Sequence, residues 1–212
     1  ITHCEDQATM DANLAAERAR LGTLGVERHP YIRSAEGCVK STRLAIEFAR
    51  RHDARLHVLH ISTADEVALF PEGPLAQRRI TAETCVHFLH FDARDYASKG
   101  NLIKCNPAIK DETDREALID ALAQDRIDIL ATDHAPHTLE EKAKPYAGAP
   151  SGLPLVQFAL QAAGSAAQLP LPWNAIPRIV RRPFSYVTNP DPLSPGHSEP
   201  EASVVEMVNV GP

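Results

Sequence analysis

Leu130 to His137 reads LATDHAPH, an apolar run followed by an aspartate and two histidines within five positions. A carboxylate and imidazoles at the end of a buried strand can hold a divalent cation and move a proton. Asp133 is therefore a candidate metal ligand and base, and His137 a candidate contact for substrate. The plainer reading is a polar loop that caps a strand. Three further histidines, His3, His60 and His87, stand at or near the ends of apolar runs. One such histidine is more often an ordinary hydrogen-bonded residue. Several of them with an aspartate, on successive strands of one sheet, match the ligand set of a hydrolytic zinc site that keeps a position open for water. Zinc brings the pKa of that water to about 7.

Two other stretches could meet a ligand. In IKCNPAIK, Ile103 to Lys110, Asn106 precedes Pro107 and is biased to an extended conformation that presents its amide to a cleft. An Asx-type turn explains the same residues. In SGLP, Ser151 to Pro154, Gly152 permits close approach of a ligand to the backbone, or the stretch is a loop entering a helix.

The elements that must position these residues alternate. THCED reads as a strand end, and the following Ala-, Leu-, Glu- and Arg-rich stretch as a helix closed by Gly22. STRLAIEFARRH reads as a helix with Ser41 as N-cap. ARLHVLHIS, RITAETCVHFL and IDILATD read as buried strands. DETDREALIDALAQDR reads as a helix with Leu118, Ile119 and Leu122 on one face, and SGLPLVQFALQAAG as a turn and another helix. Strand and helix in alternation indicate an α/β fold with a parallel sheet, whose reactive side chains collect at the carboxyl ends of the strands.

Composition narrows the function. The 212 residues are 43% apolar and 24% charged with a formal net charge of -6, which argues against nucleic acid as the main partner. No stretch approaches the roughly 20 apolar residues needed to span a bilayer, and no membrane partner is expected. Cys4, Cys38, Cys85 and Cys105 form no CxxC pair and read as reduced thiols of a cytoplasmic protein. Nine of 17 prolines fall at or after Pro170. The chain is therefore divided into 1–164, the α/β part, and 165–212, a Pro-rich tail without periodicity. The abrupt opening ITHCED reads as the end of a strand whose first half is missing, as expected of a fragment.

HCED at His3 to Asp6, LHIST at Leu59 to Thr63, KCNPAIK at Lys104 to Lys110 and TDHAPH at Thr132 to His137 together resemble dihydroorotase, of the amidohydrolase superfamily with a two-metal centre. HPYIRSAEG from His29 and SGLPLVQFAL resemble it too, and the likeness runs from the first residue to about Ala163. The resemblance implies a TIM-type (β/α)8 barrel, of which this chain would supply roughly strands 5–8. It implies Zn2+, two per complete site, and interconversion of N-carbamoyl-L-aspartate and L-dihydroorotate in pyrimidine biosynthesis.

Position by position, His3 and His60 match histidines that hold the second metal. Asp133 matches the aspartate that binds the first metal and shuttles the proton. Asn106, His137 and the backbone at Gly152 match substrate-binding positions. His87 receives no ligand role, and His134 is expected to be structural. The family's His-x-His pair, its substrate-binding arginine and asparagine and its bridging lysine have no counterpart in these 212 residues. Other cyclic amidases, hydantoinase- or allantoinase-like, are the alternative, as is a non-catalytic dihydroorotase-like scaffold. A homo-oligomer and aspartate transcarbamoylase are the protein partners the resemblance admits, beside a small-molecule substrate.

Overall fold

Three parallel strands in the order β1-β2-β3 form the sheet: β1 (Leu56–Val58), β2 (Ile80–Cys85) and β3 (Ile129–Ala131). A computed structural model of the protein describes residues 1–72, 75 and 78–159. The register pairs Leu56 with Ile80 and Glu83 with Ile129. Thr2 adds a single parallel bridge to Val58, with its N–H donating to His57 O and its carbonyl accepting from Leu59 N. The strand end expected in THCED is thus the fourth ribbon of the sheet. Because all four run the same way, their carboxyl ends lie on one edge. The alternation of strand and helix that the sequence implies is the architecture observed.

The helices are α1 (Gln7–Leu21), α2 (His29–Ile32), α3 (Ala35–Arg51), α4 (Ala64–Val67), α5 (Val86–His90), α6 (Tyr96–Lys99), α7 (Glu112–Ala123) and α8 (Leu139–Lys142). Asp6 caps α1 by accepting from Thr9 N, and Gly22 ends it at φ 72, a left-handed conformation that glycine takes at no steric cost. In α7, Asp111 caps the first turn and Leu118, Ile119 and Leu122 are buried, as the apolar spacing requires. Val58, Ile61, Ala82, Cys85, Phe88 and Ile109 lie in the core between sheet and helices. All four cysteines are buried free thiols.

Two expectations are corrected. Ser41 does not cap a helix, because α3 begins earlier, where Ser34 accepts from Gly37 N. Ser41 falls inside it, and Leu44 and Phe48 stay largely exposed while Ile46 and Ala49 are buried. The strand expected through RITAETCVHFL stops at Cys85, where the chain turns directly into α5. Of the helix expected after SGLP, the described residues include a 3-10 turn at Val156–Phe158 and the helical Ala159. Its remainder and the Pro-rich stretch 165–212 lie outside the described residues. No helix among the described residues is long and apolar enough to cross a membrane.

Candidate metal and substrate site

His3 follows the Thr2 bridge and His60 lies two residues beyond β1, so both project from the carboxyl edge of the sheet. Their rings meet: His3 Nδ1 is 2.9 Å from His60 Nε2, with ring centroids 4.7 Å apart. The other nitrogen of His3, Nε2, lies 2.9 Å from Glu5 Oε2. Glu5 is buried and also pairs with Arg33. A hydrogen on His3 Nε2 donated to this carboxylate leaves Nδ1 with its lone pair directed at His60. Burial and the neighbouring His3 hold the His60 imidazole below its ordinary pKa, while Asp133 opposes the shift. His60 Nδ1 and Glu5 Oε1 are buried without a hydrogen-bond partner.

Asp133 stands two residues beyond β3, on the same edge, and is exposed. His60 and Asp133 share a further property: both are non-glycine residues with positive φ, 39 and 45. Such conformations are uncommon outside glycine and concentrate at functional sites, where surrounding structure enforces them. The structure brings His3 and His60 into contact but does not bring Asp133 into one donor group with them. Among the described residues, no three His, Cys, Asp or Glu side chains are arranged to hold a metal ion.

The donors that are present suit zinc in their chemistry. Two ligand nitrogens, each about 2.1 Å from one tetrahedral ion, stand about 3.4 Å apart, so the His3 Nδ1 and His60 Nε2 atoms, 2.9 Å apart, would open by about half an ångström to share one. The histidine pair offers two nitrogen donors to one side of a cation.

Asn106 and His137 belong to neighbouring segments. His29 is buried. Its Nδ1 accepts from Tyr146 Oη at 2.8 Å, and its Nε2–H donates to Cys105 O at 2.8 Å and Asn106 Oδ1 at 3.2 Å. Burial, opposed by the Cys105 carbonyl and assisted by Arg33, Lys104 and Lys110, pushes the His29 pKa down to about 4, so the ring is neutral. With its oxygen engaged, Asn106 has its Nδ2 hydrogens for a ligand. His137 Nε2 donates to Ser151 O at 3.0 Å, and its Nδ1 lies 3.8 Å from Glu141. Gly152 sits directly beneath, at φ 138, where a Cβ would come within 2.6 Å of Ala135 O. The Gly152 N–H is bonded to Lys104 O at 2.8 Å. His134 pairs with Leu153 in a parallel bridge and accepts from Val156 N, the structural role expected of it. His87 is buried inside α5 with both ring nitrogens unpartnered. It stands two residues beyond β2, as expected, but its ring is buried in the core.

Sequence reasoning missed Glu5, Arg33 and His29 as parts of this site. Glu5 stands two residues from His3 in HCED, and that spacing was its only local signal.

No family model matches the chain. A dihydroorotase from Staphylococcus aureus is 35% identical over 153 residues, covering 72% of this chain and 35% of the relative. An allantoinase from Bacillus velezensis is 36% identical over 134 residues, covering 63% of this chain and 29% of its own length. The chain spans about a third of the length of the curated relatives it matches. Among solved structures, a D-hydantoinase from Thermus sp. superposes with TM-score 0.71 at 22% identity, covering 83% of this chain and 40% of that one. A dihydroorotase from Saccharomyces cerevisiae in complex with 5-fluoroorotic acid gives 0.58 at 17%, covering 68% and 40%. These neighbours are TIM-barrel amidohydrolases, and the parallel sheet described above is part of such a barrel.

Proposed function

We propose that this chain, which matches dihydroorotase-like amidohydrolases in sequence and fold, acts in hydrolysis of a cyclic amide, with dihydroorotate as the substrate. The observation that supports this most is the convergence of His3 Nδ1 and His60 Nε2 at the carboxyl edge of parallel strands. Zinc held there, with donors from outside the described residues, would supply Lewis-acid polarisation of the amide and acidification of water.

The chain's own residues do the rest. Glu5, anchored by Arg33, fixes the orientation of His3. Asp133, exposed on the same edge and held in a left-handed turn, takes a proton and returns it to the departing nitrogen. Asn106, with its oxygen tied to His29, offers N–H donors to the substrate. His137, steadied by Ser151 O, faces a substrate carboxylate. A carboxylate on the ring distinguishes dihydroorotate from hydantoin, and that pairing favours it over the hydantoinase and allantoinase alternatives. Four buried free thiols suit a reducing cytoplasm.

Turnover of dihydroorotate, hydantoin and allantoin by the zinc-loaded protein tests the reading. Preference for dihydroorotate supports it. Preference for either other ring moves the protein to a different cyclic amidase, and turnover of none of them refutes the activity.

A further inference from the structure

Three lysines in this region are buried: Lys110 at 6% exposure bonds only within its own segment, to Ala108 O, whereas Lys104 at 8% and Lys142 at 5% reach other segments. Among the described residues neither forms an ion pair. Their ammonium groups bond to main-chain carbonyls instead. Lys142 Nζ donates to Lys104 O and to Pro150 O, each at 3.1 Å. Lys104 Nζ donates to Tyr146 O at 2.8 Å and to Ala149 O at 2.5 Å. The Lys104 carbonyl also receives the Gly152 N–H at 2.8 Å. The segment from Tyr146 to Gly152 is therefore tied at four carbonyl or amide positions to Lys104 and Lys142, and Lys104 is two residues from Asn106.

The circuit closes through His137. Thr138 caps α8, which follows His137 immediately and ends at Lys142. His137 in turn donates to Ser151 O, on the segment Lys142 holds. Fold stability alone does not call for this arrangement. Burying an ammonium without a counter-ion is costly, and an apolar side chain would avoid that cost. Burial does push Lys142 down to about 8, with Cys105 opposing and Lys104 adding to the shift. What a buried donor with several hydrogens supplies, and an apolar residue cannot, is a fixed distance between carbonyls of separate loops.

We infer that Lys142 and Lys104 are positioning residues that lash the Ser151–Gly152 loop to the Asn106 segment, setting the spacing of the two halves of the substrate site and so its affinity. The inference rests on the functional reading above. The lash acts on binding: it places Asn106 and His137 for substrate and touches no reacting atom.

The test is Lys142→Met in the zinc-loaded protein, read in two ways. Amide hydrogen exchange without substrate is expected to be about tenfold faster at Gly152, whose N–H reports the tie to Lys104. With dihydroorotate, KM is expected to rise by about tenfold while kcat changes by less than about threefold, and Lys142→Arg is expected to recover part of the loss. Should Lys142→Met be insoluble, Lys142→Gln, which keeps a donor, is expected to shift both readouts the same way by less. Unchanged exchange at Gly152, or a fall in kcat with KM unaltered, would overturn the inference. The exchange measurement needs no turnover, so a protein inactive on cyclic amides would sink the functional reading while leaving the lash to stand or fall by its own result.

Discussion

His3 Nδ1 and His60 Nε2 stand 2.9 Å apart although 57 residues separate them, and the far nitrogen of His3 is held by Glu5. A carboxylate behind a ligand histidine fixes its tautomer and raises its basicity. Glu5→Gln keeps the shape but loses the charge. It is expected to weaken zinc binding by about 10- to 100-fold, measured by competition with a chromogenic chelator. Unaltered affinity would remove Glu5 from the site.

Asp133 and His137 separate by kinetics. Asp133→Asn is expected to lower kcat by about 10²- to 10⁴-fold with the fold intact by circular dichroism, because the amide cannot carry the proton. His137→Ala is expected to raise KM for dihydroorotate more than it lowers kcat. Near-normal turnover in the first variant, or unchanged KM in the second, contradicts the assigned role.

Gly152→Ala should destabilise the protein by about 2–4 kcal/mol in urea titration. The residue is at φ 138, and a Cβ there would meet both Ala135 Cβ and Ala135 O at 2.6 Å. A loss below about 0.5 kcal/mol would mean that the turn beneath His137 yields freely.

Acid should weaken the fold through two buried histidines. Burial pushes His29 to about 4 and His87 to about 3, the charge of His60 adding to the second. Unfolding returns each to about 6.5. Below that value the unfolded chain binds protons the native state refuses, so stability falls as pH drops from about 6.5 toward about 4 and then about 3. His29 contributes on the order of 3 kcal/mol to the fall and His87 on the order of 5 kcal/mol. Replacing His87, whose nitrogens have no partner, should flatten that slope. His87→Leu is expected to add about 1 kcal/mol near neutral pH, and a loss of similar size would point to a partner for the ring.

Much of the framework was legible because its signals are local. Asp6 and Gly22 bound α1, Asp111 opens α7, and apolar runs mark the three strands. Where the sequence misled, a distant contact decides. Thr42 belongs to the buried face of α3 because its hydroxyl donates to buried Glu66, a pairing invisible to periodicity. Val86 to His90 carries β-branched and aromatic residues with no break signal, yet packs as helix against α7. In the site, His3, His60 and Asp133 were legible as strand-end donors. Arg33 behind Glu5, His29 behind Asn106 and the buried lysines were not. Arginine and lysine read as surface residues until burial is known, and Glu5, Ala149 O and Lys104 O lie 28, 45 and 38 residues from Arg33, Lys104 and Lys142.

The most direct test of the account is zinc X-ray absorption of the purified protein beside its His3→Ala and His60→Ala variants. The expected spectrum contains at least two imidazole nitrogens at about 2.0–2.1 Å from zinc, with one lost in each variant and bound zinc reduced. Identical zinc content and an identical imidazole count in all three proteins would contradict a shared cation at this pair of rings.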